Sequence, residues 1–240
     1  MKNTLFGCLF ACLLGCQSTP NETTSQSEPR LGTSLTADEQ KAVLLAGTAL
    51  SGQASGALSQ DGRELELTIS NSAVFDQEPD LLKLHASRAA WTFYKNKGVE
   101  NPSYDQLVVK AVLTDTTLQF PYSLAQLDLV QARFPAIELA TQKLIAGDYE
   151  GLYELFDPVV MGPSKSANLE SYCTQVEPEY GKPQGFEFRG FAFEKTSGGL
   201  DVLSLAGQLK RSIKDTPLYI AIDLNKQGLK GSLFSIKFAY

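Results

Sequence analysis

His85 is the only histidine in the 240 residues, and this removes much of the chemistry a chain of this length could carry. A metal site of three or four His and Cys ligands needs more donors than are present. No spacing supports His85 as a general base; with Arg88 nearby, it reads as a structural or surface residue. Asp76, Glu78 and Asp80 stand ahead of a helical stretch, where negative charge complements the helix dipole. The sharper alternative, calcium ligation, lacks the loop pattern that calcium sites use. The glycines form no phosphate-cradling loop, and Gly198-Gly199 reads as a hairpin turn. No nucleophile elbow or zincin pattern is found. The residue types therefore nominate no catalytic residue, no metal ligand and no cofactor.

What they do support is apolar recognition. Tyr149, Tyr153, Phe156 and Tyr172 fall on helical stretches, and Phe186, Phe188, Phe191 and Phe193 fall on one long strand. Aromatic concavities bind apolar or planar ligands; the same residues also serve as plain core. Phe186 and Phe188 have one parity along the strand, and Phe191 and Phe193 the other. A regular strand would split the pairs between two faces. One extra residue at Arg189-Gly190 would bring all four to one face, which predicts a β-bulge where glycine best tolerates it.

The helix predicted over residues 79–95 buries Leu82, Ala86, Ala89 and Phe93 in a narrow arc. Leu84 and Trp91 lie on the opposite side. Either this helix is sandwiched between two layers, or Leu84 and Trp91 form an exposed patch for a protein partner.

Lys2 and the apolar run over residues 5–14 have the form of a secretory signal. The run is too short to span a bilayer, which needs about 20 residues. The segment Leu13-Leu14-Gly15-Cys16 resembles the lipobox of bacterial lipoproteins. The resemblance implies cleavage before Cys16 and lipid attachment to it. It places the chain in the bacterial cell envelope, and Gln17, which is not Asp, implies the periplasmic face of the outer membrane. Each buried methylene of the acyl chains contributes about 0.8 kcal/mol, so the membrane is the first expected partner. Cys8 and Cys12 leave with residues 1–15, and Cys16 is consumed by lipid. Cys173 then remains alone, as a buried apolar residue, a reactive thiol or half of an intermolecular disulfide.

The net charge is −6; removing Lys2 from 21 basic residues leaves 20 against 27 acidic ones, or −7. Such a balance gives no electrostatic footprint for nucleic acid. Residues 16–35 are polar and predict a tether that cannot offset its own ordering entropy.

Thr36-Ala37-Asp38-Glu39 is a capping box that opens a helix, which Gly52 to Gly56 ends or loosens. Residues 64–70 alternate as a half-buried strand, with Leu65, Leu67 and Ile69 on one side. Strands are also expected near residues 107–113 and 117–122. A second capping box, Ser123-Leu124-Ala125-Gln126, opens a long helix to Leu144, with Pro135 as a kink or restart. Gly147 and Asp148 cap its end and start a short helix over residues 149–156; another covers residues 168–176. Strands over 185–194, 201–212, 218–224 and 231–238 close the chain. The fold class is α+β.

The second half is similar to the nuclear transport factor two-like superfamily, a cone of curved sheet around helices. The resemblance rests on residues 144–150, Leu155-Phe156-Asp157, the break at Tyr180-Gly181-Lys182 and the terminal strand. It implies a ligand-binding cone, an isomerase or dehydratase, or a module for protein contacts. Enzymatic members place a His, Asp or Tyr in the cone. This half has no His, and Asp157, Glu187 and Asp223 sit in no motif. The expected layout is a signal over 1–15, a lipidated tether over 16–35, a small α+β domain over 36–122 and the cone domain over 123–240. The expected role is non-catalytic binding of a protein partner or a small apolar ligand.

Overall fold

A computed structural model describes residues 34–161 and 166–239. Cys16 and its preceding motif lie outside the described residues, as does most of the expected tether. The chain is mixed α+β, with two four-stranded sheets.

Helix α1 (Ala37–Ala49) starts at the capping box, with Thr36 and Glu39 each accepting from the other's backbone N–H. The first sheet then takes the order β1-β2-β3-β4, from β1 (Gln53–Leu58), β2 (Glu64–Ser70), β3 (Gln106–Val112) and β4 (Thr117–Ser123). The helix ends before Gly52, as expected, but the stretch that follows is strand β1, which is not expected from the sequence; it pairs antiparallel with β2 at the sheet edge. β2 and β3 run parallel, which requires a crossover. Short helix α2 (Ala73–Gln77), a 3-10 turn (Pro79–Leu81) and α3 (Leu82–Asn96) supply it. Leu65, Leu67 and Ile69 pair in register with Leu107, Val109 and Ala111. All six are fully buried.

Helix α4 (Leu124–Ala146) begins at the second capping box and runs unbroken through Pro135. Proline removes one backbone donor. Pro135 and Gln131, whose carbonyl loses it, are both exposed, so the loss falls on the solvent side. Gly147 ends α4 with φ +70. Asp148 starts α5 (Tyr149–Tyr153) by accepting from Gly151 N–H at 2.9 Å. α5 stops short of Phe156, which instead bridges to Leu233. Helices α6 (Pro158–Met161), α7 (Ser166–Thr174) and α8 (Glu177–Tyr180) follow.

The second sheet is an antiparallel meander, β5-β6-β7-β8, of β5 (Pro183–Lys195), β6 (Asp201–Arg211), β7 (Thr216–Asp223) and β8 (Leu233–Phe238). The register slips between Phe188 and Gly190, so the predicted bulge is there. Phe186, Phe188, Phe191 and Phe193 pair with Leu209, Gly207, Leu205 and Leu203, all of one parity, and thus share a face. Gly190 has φ +149, and a Cβ on it would stand 2.2 Å from the Leu84 carbonyl oxygen. Both facts demand glycine.

That close approach shows how the sheets are related. The described residues form one compact unit. α3, the crossover of the first sheet, also packs on β5, the edge strand of the second. Leu84 and Trp91 are therefore not an exposed patch. Leu84 is half-buried against Gly190. Trp91 is buried and stacked on Phe134 of α4, with ring centroids 5.0 Å apart. Two apolar faces on one helix here mean two packing partners within the fold.

Candidate functional site

The shared face of β5 and one stripe of α4 flank a half-open cavity of about 280 Å³. Phe186 and Phe188 form the strand wall; Phe134, Ile137, Thr141 and Ile145 form the helix wall. These four recur at helical spacing and so lie along one side of α4. Phe186 keeps its place because Gly207 beneath it has no side chain: a Cβ there would fall 2.1 Å from the ring. Phe188 meets Phe134 edge-on at 5.6 Å, and Phe134 stacks on Trp91, which stacks on Tyr94 at 6.0 Å. A continuous aromatic row thus leads from the cavity wall into the core.

The polar groups of the wall are few. Thr141 Oγ1 donates to the Ile137 carbonyl at 2.9 Å, which leaves its methyl as the surface it offers. Glu138 and Gln142, both exposed, stand at the rim. The site is shaped to hold apolar matter by contact.

The aromatic residues expected to gather in one site are dispersed. Phe186 and Phe188 line the α4–β5 cavity. Phe191 is buried core, edge-on to Tyr122 at 5.7 Å and to Phe193 at 5.8 Å. Tyr149 and Tyr153 pack half-buried on the core and line neither aromatic cavity. Tyr172 lines a separate opening of about 290 Å³ with Phe156, Leu169 and Phe234, and its ring lies 5.5 Å from Phe238. The α4 wall was missed. The signal for it was the stripe Phe134, Ile137, Thr141, Ile145, interrupted to the eye by Pro135.

The acidic residues weighed as bases are engaged elsewhere. Asp157 accepts from Val159 N–H at 2.9 Å and pairs with Lys226 at 3.1 Å; these hold its carboxyl below the usual range. Asp223 accepts from Asn225 N–H at 2.8 Å and closes a turn. Burial alone would raise Glu187, but the Lys210 bond and the charges of Arg189 and Arg88 hold it below its ordinary value. None of the three lines the α4–β5 cavity. Cys173 is buried, and burial pushes its thiol up to about 12.

His85 is fully buried. Its Nε2 stands 2.8 Å from Glu78 Oε2, an ion-pair approach without hydrogen-bond geometry, and its Nδ1 has no hydrogen-bond partner among the described residues. Burial lowers the imidazole pKa against the opposing pull of Glu78. Among the described residues no group of three or more His, Cys, Asp or Glu is placed to hold a metal ion. Compared with protein-family models, curated proteins and solved structures, the chain matches none.

Proposed function

We propose that this chain is a lipid-anchored protein of the bacterial envelope that binds, without catalysis, a small apolar ligand between α4 and β5. The observation that carries the reading is the cavity itself: three phenylalanine rings and two isoleucines wall about 280 Å³, and Gly207 clears the space for one ring. The Leu13-Leu14-Gly15-Cys16 motif supports the anchor. The resemblance to the nuclear transport factor two-like superfamily supports a ligand-holding role for the second sheet and its helices.

Trp91, the only tryptophan, reports on the site through Phe134. The chain from residue 31 onward, titrated with the uncharged probe N-phenyl-1-naphthylamine, should show saturable quenching of Trp91 at one probe per chain. Ile145→Phe fills the cavity and should abolish the quenching while the melting temperature holds. Quenching that never saturates, or that survives Ile145→Phe, would overturn the reading.

A further inference from the structure

A further cavity, polar and of about 410 Å³, opens where the end of α1, the α2 segment and α3 meet β5. Four charged side chains line it: Glu78, Arg88, Glu187 and Arg189; Gln77 and Ser51 add an amide and a hydroxyl. Its size is that of a small-molecule pocket, roughly 300–1,000 Å³.

Arg189 is the residue that matters most. It is the extra residue of the β5 bulge, unpaired in the register with β6. Bulges re-aim side chains, and this one turns a guanidinium towards the cavity. Arg189 approaches Glu187 at 3.6 Å and Glu78 at 3.7 Å. Both distances exceed those of a hydrogen bond, about 2.7–3.2 Å. Its Nε is buried with no hydrogen-bond partner among the described residues. Arg211, which is more deeply buried, also leaves Nη2 without a hydrogen-bond partner among the described residues, but its other nitrogens donate to Thr216 at 3.0 Å and to the Gly181 carbonyl at 2.9 Å. A guanidinium presents a planar fork of donors matched to a carboxylate. In Arg189 that fork is held in a polar cavity, ion-paired with Glu187 and Glu78 but at hydrogen-bond distance from no partner among the described residues.

The carboxylates set the rest of the ligand. Glu187 is shared between Lys210 at 3.1 Å and Arg88 at 3.3 Å. Glu78 Oε2 stands 2.8 Å from Nε2 of buried His85, without hydrogen-bond geometry. A bare anion entering here meets two carboxylates, and a bare cation meets two guanidiniums. A molecule carrying both charges close together meets opposite charge at each end.

We propose that this cavity binds a small zwitterion of the α-amino acid class, free or as a short unblocked peptide. Its carboxylate forks onto Arg189, with Arg88 beside it, and its ammonium lies between Glu78 and Glu187.

The test is calorimetric titration of the full chain in phospholipid nanodiscs, with empty nanodiscs as the blank. The titrants are each of the twenty standard L-amino acids, L-alanyl-L-alanine, and three controls: N-acetyl-L-alanine, L-alaninamide and inorganic phosphate. At least one zwitterion should bind saturably at one per chain, with the free acids and the dipeptide separating the two sources. The blocked controls should bind at least tenfold more weakly than their zwitterionic counterpart, and phosphate not at all. Arg189→Gln should weaken the zwitterion at least tenfold, and Arg189→Lys, which keeps the charge but not the fork, nearly as much. Unchanged Trp91 emission shows that a variant is folded. No saturable zwitterion binding at millimolar concentration, equal binding of phosphate, or full affinity in both folded variants would overturn the proposal.

Discussion

The Ser87 hydroxyl accepts a hydrogen bond from the Phe191 N–H at 2.7 Å and donates to the Leu84 carbonyl at 2.7 Å. One side chain thus ties the α3 backbone to the edge of β5, one residue beyond Gly190. Ser87 is buried, so Ser87→Ala leaves the Phe191 N–H without a partner and without access to water. The expected cost is about 1–3 kcal/mol. Urea denaturation followed by Trp91 emission measures it, and an unchanged midpoint would show that the bond is dispensable.

A second expectation concerns pH. In the fold His85 takes up its proton below its ordinary value of 6.5, chiefly because it is buried. The unfolded chain, titrating near 6.5, therefore binds more protons as pH falls below that point. The contribution of neutral His85 is full above pH 6.5 and is lost as pH falls towards the folded value. The charged groups facing it are Glu78, which favours the proton, and Arg189 and Arg88, which oppose it. Melting temperature should decline between about pH 7 and 5, in a window well above that of the carboxylates. His85→Gln should flatten this decline; an identical slope in the variant would assign it to other groups.

Lipidation is tested on the native chain. Mass spectrometry of the N-terminus should find Cys16 as the first residue, carrying acyl chains. Cys16→Ser should move the protein out of the membrane fraction. Recovery of an unmodified peptide spanning residues 14–20 would sink this expectation.

The contact between α3 and β5 also bears on whether the second half folds alone. Residues 123–240 without α3 lose the Ser87 bond to Phe191 and the Trp91 ring that stacks on Phe134. Expressed alone, this fragment is expected to unfold gradually on heating, without the sharp transition of the whole chain. A sharp transition at the parent temperature would mean that β5 does not need α3.

Local rules were legible wherever neighbours in sequence decide the structure. The capping boxes at Thr36 and Ser123, the Gly147-Asp148 junction and the alternation of Leu65, Leu67 and Ile69 all depend on residues within a few positions. The bulge was legible for the same reason: four phenylalanines out of phase need one residue to correct them. β1 was not legible. Its sequence, Gln-Ala-Ser-Gly-Ala-Leu, has weak strand propensity, and it is held by pairing with β2 and by packing on α1. That a second layer covers the Trp91 face was one of the two readings of the helix; that Phe134 is the partner was not legible, because it lies beyond the intervening strands. The polar cavity was hidden most deeply, since Glu78 and Arg189 meet only after both sheets have formed.

The double employment of α3 has a kinetic consequence. β5 to β8 join neighbours in sequence, so the second sheet is topologically quick to assemble. Pairing β2 with parallel β3 must close a crossover from Ser70 to Gln106, which is slower. Until α3 is seated, the outer edge of β5 presents unpaired backbone groups beside four phenylalanines, the kind of surface that recruits a strand from another chain. The interval in which this protein is open to misassembly is therefore set by the closure of the first sheet. A substitution in β2 or β3 that slows that closure should lengthen the exposure of an edge more than seventy residues away.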